Sequence, residues 1–357
     1  MIAGLALALL AGCPKGASIV GPAVNWEEMP RLPSPSAGSY ARVKGTPPDP
    51  GVRSVLGLRG WDASLGGTAA GLALNLVYER GGLTPPEIRE AAWRAGWPFP
   101  VRSVHTVGAS IGAEAPSAVR SLVNQVPGGV DMGLVRARGD QQDIWVLVTS
   151  EPRIDLQVFP RQLPKGARLK LPAQPGVRFA VADPVGQLFE GHLELEWSTE
   201  VDQSGEWLVE LRDAQGVAAR FPVYVGMVPP DLSLLSGGDP PINDPVASDQ
   251  AYAVIDRVRE AYGLREPQVD TLLQSAVPWA QLNPSLDPAE IAKRVGIDPD
   301  DLWRVSCSGG TVEICLDPIV WDPKARPALL SRRLLVGIGA DVQPSGVRLT
   351  LLMARES

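Results

Sequence analysis

The chain has 357 residues, of which 45% are hydrophobic and 20% charged, as in a folding chain rather than a disordered one. That length allows two or three domains. The formal net charge of −7 argues against a nucleic-acid partner, which would need clustered Lys and Arg. His105 and His192 are the only histidines, so the chain lacks the histidines that most zinc-hydrolase and Ser-His-Asp sites need. We therefore predict no catalytic residues, no metal site and no cofactor.

The amino terminus has the features of an exported protein. Residues 2–10 form a nine-residue apolar stretch, which suits a signal peptide and is too short for a membrane-spanning helix. The sequence L-A-G-C at residues 10–13 resembles the lipobox of bacterial lipoproteins, although no Lys or Arg precedes the stretch. The resemblance implies that residues 1–12 are a cleaved signal peptide and that a lipid on Cys13 anchors the chain in a membrane. Pro14, in place of Asp, favours the outer membrane where the envelope has two membranes.

A Pro- and Gly-rich tether, residues 13–60, is predicted to separate the membrane from the folded body. Residues 61–152 follow as a small α+β domain. Helical apolar spacing, a capping box at Thr84 and a polar turn at 139–142 define its predicted elements. These are helices at 68–80, 84–95 and 116–125, and strands at 130–138 and 143–149.

Residues 153–228 change to a period of two, which indicates an antiparallel β-sandwich. The stretch at 204–211 is similar to the late strands of Ig-like extracellular modules. The predicted strands lie at 168–171, 177–182, 192–197, 207–211 and 219–225. Residues 229–248, rich in Pro, Gly and Ser, are predicted to be a second linker.

Residues 249–357 are predicted to form a second α+β domain. A glycine ends the first and the third predicted helix, and a turn at 344–346 separates the two closing strands. The predicted helices lie at 249–262, 269–280 and 287–295, and the closing strands at 335–341 and 347–353.

Cys307 and Cys315 are the two cysteines that remain beside Cys13. In an oxidising compartment an even pair eight residues apart indicates one disulfide that closes a small loop. A tight turn at Gly309-Gly310 would place Cys307 opposite Val312, so the bond requires a wider loop.

The last third of the chain resembles the CAP superfamily of cysteine-rich secretory, antigen 5 and pathogenesis-related proteins. The resemblance lies in D-P-K-A-R-P-A-L-L at 322–330 and V-G-I-G at 336–339, where bacterial members have S-P-x-H-R-x-N-L-L and V-G-[VI]-G. It implies an α-β-α fold and a cleft in which two histidines and two acidic residues can hold a divalent metal.

This chain departs from the family at the cleft. Ala325 stands where the histidine of S-P-x-H-R belongs, Trp279 stands near the position of the second histidine, and Arg326 matches the family arginine. Glu313 keeps one acidic position. We therefore predict a degenerate cleft of these four residues, without the metal chemistry. The helices and hairpin around Gly133 suggest that the first domain is a shorter copy of this arrangement of helices and strands.

Together these features predict a multidomain α+β lipoprotein of the cell envelope that acts as a non-enzymatic binding or scaffolding module. Its partners would be the membrane, through the lipid, and an envelope glycan, lipid or protein. Exposed indoles among the ten tryptophans would suit glycan or peptide binding. Two alternatives use the modified cleft: a hydrolase that pairs Glu313 with an Asp of the 298–301 loop, and a lipid carrier.

Overall fold

A computed structural model describes residues 38–77, 83–112, 114–139, 142–227 and 238–355. The chain is a multidomain α+β protein with three regions in chain order: an α+β unit, a β-sandwich and a second α+β unit. Cys13 and residues 229–237 of the predicted second linker lie outside the described residues.

In the first region, a three-stranded antiparallel sheet with the order β4-β6-β5 packs against helices. The region comprises β1 (Ser39–Tyr40), β2 (Lys44–Gly45), α1 (Pro50–Leu56), β3 (Trp61–Asp62), α2 (Ala63–Val77), α3 (Pro85–Arg94), β4 (Val101–Ala109), α4 (Ser117–Gln125), β5 (Asp131–Arg138) and β6 (Asp143–Ser150). The predicted capping box opens α3, where the Glu87 side chain accepts a hydrogen bond from the Thr84 backbone at 2.9 Å.

The predicted tether extended to residue 60, but its last part is folded. Tyr40 is fully buried, and its hydroxyl donates to the carbonyl of Pro222 in the sandwich at 2.8 Å. Asp49 caps α1 by accepting from the backbone N–H of Gly51 at 2.6 Å. Pro50 stands in the first turn of α1, a position that helices tolerate well. Pro50, one of the prolines that indicated a spacer, therefore stands at the start of a helix.

The second region is a sandwich of a five-stranded sheet, with the order β11-β10-β13-β14-β8, and a two-stranded sheet, β12-β9. All pairs are antiparallel except β8 with β14, which is parallel. The strands are β7 (Phe159–Pro160), which pairs with β1, β8 (Gln162–Leu163), β9 (Ala167–Leu171), β10 (Arg178–Ala182), β11 (Leu188–His192), β12 (Trp197–Val201), β13 (Gly205–Asp213) and β14 (Gly216–Val225).

One predicted strand of the sandwich is wrong. Residues 193–196 connect β11 to β12, where the sequence predicted a strand over 192–197. Leu193 is buried in the sandwich core, whereas Leu195 is 79% exposed on the connection. The alternating leucines therefore come from a turn with one inward side chain, and not from a strand.

The third region comprises α5 (Asp244–Ala261), β15 (Gln268–Val269), α6 (Thr271–Leu282), α7 (Pro288–Val295), β16 (Leu302–Gly309), α8 (Val312–Val320), α9 (Arg326–Leu329), β17 (Leu334–Gln343) and β18 (Gly346–Arg355). Its sheet has the order β15-β17-β18-β16. Leu349, Leu351 and Met353 of β18 pack in the cluster that includes α5 and α8, whereas Leu352 and Ala354 pack with α6 and α7. Because alternate residues of a strand face opposite sides, the region is a three-layer α-β-α sandwich.

The helix caps follow the sequence signals. Asp287 caps α7 through the backbone N–H of Ala289, and the left-handed Gly296 ends it. Helix α5 begins five residues earlier than predicted, because Asn243 caps it through the backbone N–H of Val246.

Candidate functional site

The predicted site residues do not form one cluster. Glu313 on α8 and Ala325 and Arg326 beside α9 lie on the α5–α8 side of the sheet. Trp279 on α6 packs on the opposite side, with the α6–α7 cluster, and the Arg294 guanidinium stacks on its ring at 4.7 Å. The structure therefore separates Trp279 from the other three residues.

The disulfide between Cys307 and Cys315 is confirmed, with a Cα–Cα distance of 5.3 Å. It joins β16 to the second turn of α8, so the wider connection that the spacing required is a helix start. Gly309 permits this approach, because a Cβ there would lie 2.7 Å from the backbone nitrogen of Cys315.

Ala325 and Arg326 are 5% and 1% exposed, so the position that the CAP resemblance assigns to a cleft is filled. Arg326 donates through Nη2 to Glu206 on strand β13 of the sandwich, at 2.6 Å, and through Nη1 to the carbonyl of Val320, at 3.1 Å. A hydrogen-bonded guanidinium–carboxylate pair thus joins the second and third regions inside the protein.

Tyr262, just after α5, completes this pair. Its hydroxyl donates to Glu206 at 2.9 Å and accepts from Arg326 Nη2 at 3.1 Å. The Arg326 guanidinium also stacks on the ring of Tyr262, at 5.3 Å from the centroid. Burial raises the pKa of the Glu206 carboxyl, and the charge of Arg326 opposes that rise.

The first region contacts the same place through α3. Arg89 forms an ion pair with Asp317 on α8, and it stacks over Trp93 and Trp321 at 5.0 and 5.1 Å. The two indoles meet edge to face, with centroids 4.8 Å apart. Arg326 also stacks on Trp321, at 5.3 Å from its centroid. Trp321 therefore contacts Trp93 of the first region and Arg326, which in turn binds Glu206 of the sandwich. We call these residues, together with Glu206 and Tyr262, the junction.

Four buried polar atoms of the junction have no hydrogen-bond partner among the described residues. They are Arg89 Nε, Asp317 Oδ1, Trp321 Nε1 and Arg326 Nε. Native proteins rarely leave such groups unpaired, and ordered water is their usual partner.

The carboxylates proposed for a hydrolase are far apart. Asp301 precedes β16 and forms an ion pair with Arg355, whereas Glu313 follows the strand. The eight residues of the strand, at about 3.3 Å each, place its two ends about 25 Å apart. Paired carboxylates that act on one bond lie within about 10 Å of each other, so these two cannot share a substrate bond.

The remaining candidates are placed as follows. His105 on β4 and His192 on β11 are both exposed. Within the described residues no three or more His, Cys, Asp or Glu side chains are placed to hold a metal ion. The tryptophans that the structure describes are buried or half-buried, so the exposed indoles proposed for ligand binding are not found among them. No helix in the described ranges has the length and apolarity needed to cross a membrane.

Sequence reasoning did not find Glu206, Tyr262, Arg89 or Asp317. The one local signal was Glu206 itself, a carboxylate near the start of β13 next to the buried Trp207. No sequence pattern pairs it with Arg326, which lies 120 residues later in the chain.

Comparisons with known proteins add little to this description. No protein-family model matches the chain, and no curated protein does. A cysteine-rich secretory protein from Staphylococcus aureus has a similar structure, with a TM-score of 0.27 and 12% identity over 42% of this chain and 56% of that one. An extracellular protein containing an SCP domain, from Bacillus anthracis, has a TM-score of 0.26 and 8% identity over 64% and 86% of the two chains. This chain therefore spans just over half of the Staphylococcus protein, and scores this low carry no conclusion about it.

Proposed function

We propose that the protein is a lipid-anchored lipoprotein of the cell envelope whose folded body binds or scaffolds an envelope component without catalysis. The observation that carries the non-catalytic part of this proposal is the burial of Ala325 and of Arg326, which belongs to the junction. A cleft enzyme needs reactive side chains that a substrate can reach. Here Arg326, one of the positions assigned to the cleft, is buried and joins the second and third regions instead.

The disulfide between Cys307 and Cys315 supports the extracytoplasmic part of the proposal. Structural disulfides persist in oxidising compartments and are rare in the cytosol. The anchor itself rests on the lipobox resemblance at Cys13, and acyl chains on that residue contribute roughly 0.8 kcal/mol for each buried CH₂ group.

Membrane fractionation tests the anchor in cells. We expect the wild type to sediment with membranes until detergent is added, and Cys13→Ser to move to the soluble extracytoplasmic fraction. The variant with both Cys307→Ser and Cys315→Ser is the control for general effects of cysteine loss, and it should stay with the membranes. Membrane retention of Cys13→Ser would count against the anchor.

The non-catalytic role is tested on the purified Cys13→Ser chain. Incubated with peptidoglycan and with phospholipid vesicles, it should release no product. Product formation that Glu313→Gln abolishes would favour the hydrolase. A lipid retained at a ratio of one per chain in native mass spectrometry would favour the lipid carrier.

A further inference from the structure

The first and third regions place their elements in the same order. Helices α2 and α3, strand β4, helix α4 and the hairpin β5-β6 correspond to α6 and α7, β16, α8 and the hairpin β17-β18. The sheets also match, with the orders β4-β6-β5 and β16-β18-β17. Within the described residues of this series, the third region adds a one-turn 3-10 helix at Pro299–Asp301 and the four-residue α9.

The registers of the two hairpins match residue by residue. Gly133 pairs with Val148, and Gly337 pairs with Leu352, each 204 positions later (337 − 133 and 352 − 148). The outer strands pair with the same central positions, Val104 with Val148 and Arg304 with Leu352, at an offset of 200. Because a slip of one residue would turn every side chain to the other face, the equal registers of the hairpins support the correspondence.

A glycine meets a helix backbone at the same place in each sheet. A Cβ on Gly133 would lie 2.1 Å from the carbonyl carbon of Leu65 in α2. A Cβ on Gly337 would lie 2.6 Å from the carbonyl carbon of Leu273 in α6. In both regions, therefore, only glycine lets the helix approach the strand this closely.

The helix starts correspond too. Asp62 accepts a hydrogen bond from the backbone N–H of Leu65 at 3.0 Å, and Asp270 accepts one from Leu273 at 2.8 Å. The residue that meets the glycine thus stands three positions after the capping aspartate in each case. The next helices open with T-P-P-E-I at 84–88 and D-P-A-E-I at 287–291.

We infer that the chain contains one α/β unit twice, at residues 62–150 and 270–355, and that the first copy is the docked partner of the second. The contact is made by Arg89 and Trp93 of α3 on Asp317 and Trp321 of α8. The face of the second copy that carries α8 is therefore occupied from within the chain.

The second copy cannot make the same docking contact with a further unit. Counted from the two capping motifs, Gly296, which ends α7, stands where Trp93 stands in the first copy, and Ala292 stands where Arg89 does. The second copy thus lacks the arginine and the indole that would dock it on a third unit. A head-to-tail contact that cannot repeat does not generate an open filament.

Matched glycine substitutions in the full-length protein test the duplication. Gly133→Ala and Gly337→Ala should each lower the midpoint of thermal unfolding by about 5 °C or more, because each Cβ collides with helix backbone. Gly128→Ala and Gly310→Ala have open space around the added Cβ and are the controls, with a change of about 1 °C or less. If Gly133→Ala behaves like the controls while Gly337→Ala does not, the two copies are not equivalent and the inference fails.

A charge exchange tests the docking and remains informative if a glycine variant does not fold. Arg89→Glu and Asp317→Arg should each reduce hydrogen-exchange protection about tenfold in both α3 and α8, and the double variant should restore it. Loss of protection in α3 alone, or no recovery in the double variant, would overturn the docking. Neither measurement depends on the lipid anchor, so failure here is distinct from failure of the proposed function.

Discussion

The junction makes a quantitative prediction through its central pair, Glu206 and Arg326. Each residue is 1% exposed, and the carboxylate is the one anion that the Arg326 guanidinium contacts by a hydrogen bond among the described residues. Glu206→Leu would leave that guanidinium with the Tyr262 hydroxyl and the Val320 carbonyl as its acceptors. Arg326→Met would leave the carboxylate buried with the Tyr262 hydroxyl as its donor.

Breaking a buried ion pair by removing one partner costs about 3–5 kcal/mol, because the other charge stays buried without compensation. We expect that loss of unfolding free energy in each single variant. Replacing both partners with apolar side chains of similar volume removes the uncompensated charge, so the double variant should lie within about 1 kcal/mol of the wild type. The cycle therefore predicts a coupling energy of at least about 5 kcal/mol.

Urea unfolding of the four proteins at pH 7, followed by tryptophan fluorescence and by far-UV circular dichroism, measures this coupling. Fluorescence reports on the tryptophan environments, which include Trp93 and Trp321 at the junction, whereas circular dichroism reports on the secondary structure of the whole chain. Coincident transitions are expected, since one hydrophobic cluster extends through all three regions. Single variants that each cost less than about 1 kcal/mol, or costs that simply add in the double variant, would refute this account of the junction.

Three further predictions concern other sites. Burial raises the pKa of Asp62 from 3.8 to about 6, so its contribution to stability is fully present below pH 3.8 and is lost as the pH rises through 6. Asp62→Asn keeps the cap, so in urea titrations it should be more stable than the wild type by up to about 3 kcal/mol at pH 7.5. At pH 3.5 the two proteins should be equally stable. Equal stability at both pH values would contradict this prediction. Reducing the Cys307–Cys315 bond should lower the unfolding free energy by about 2.5 kcal/mol, and the double Ala variant, already without the bond, should not respond to reductant. Trp93→Leu removes the ring contact with Trp321, and it should cost about 2–4 kcal/mol by calorimetry; a cost below about 0.5 kcal/mol would exclude a tight contact.

Local signals predicted much of the fold. The capping box at Thr84, the aspartate cap at 287 and the glycine at 296 define α3 and α7 within one or two residues. The hairpins that end the first and third regions were also predicted, because alternating side chains flank short polar turns. These elements depend on interactions between residues close in sequence, which is why they can be predicted from the sequence.

The errors and omissions have a different physical origin. Residues 38–60 have the composition of a tether, yet Tyr40 belongs to a core that is completed more than a hundred residues later. The same holds for the candidate site: the sequence identified Arg326 but not its partners. A buried charge is recognised by what surrounds it, and here that environment comes from three separate regions.

The central claim is that a lipid on Cys13 holds this folded body at a membrane, and metabolic labelling tests it most directly. Cells that express the full chain are grown with a clickable palmitate analogue, and the purified protein is read out by in-gel fluorescence. We predict label on the wild type and on the variant with both Cys307→Ser and Cys315→Ser, and none on Cys13→Ser. An unlabelled wild type, or equal label on Cys13→Ser, would contradict the claim.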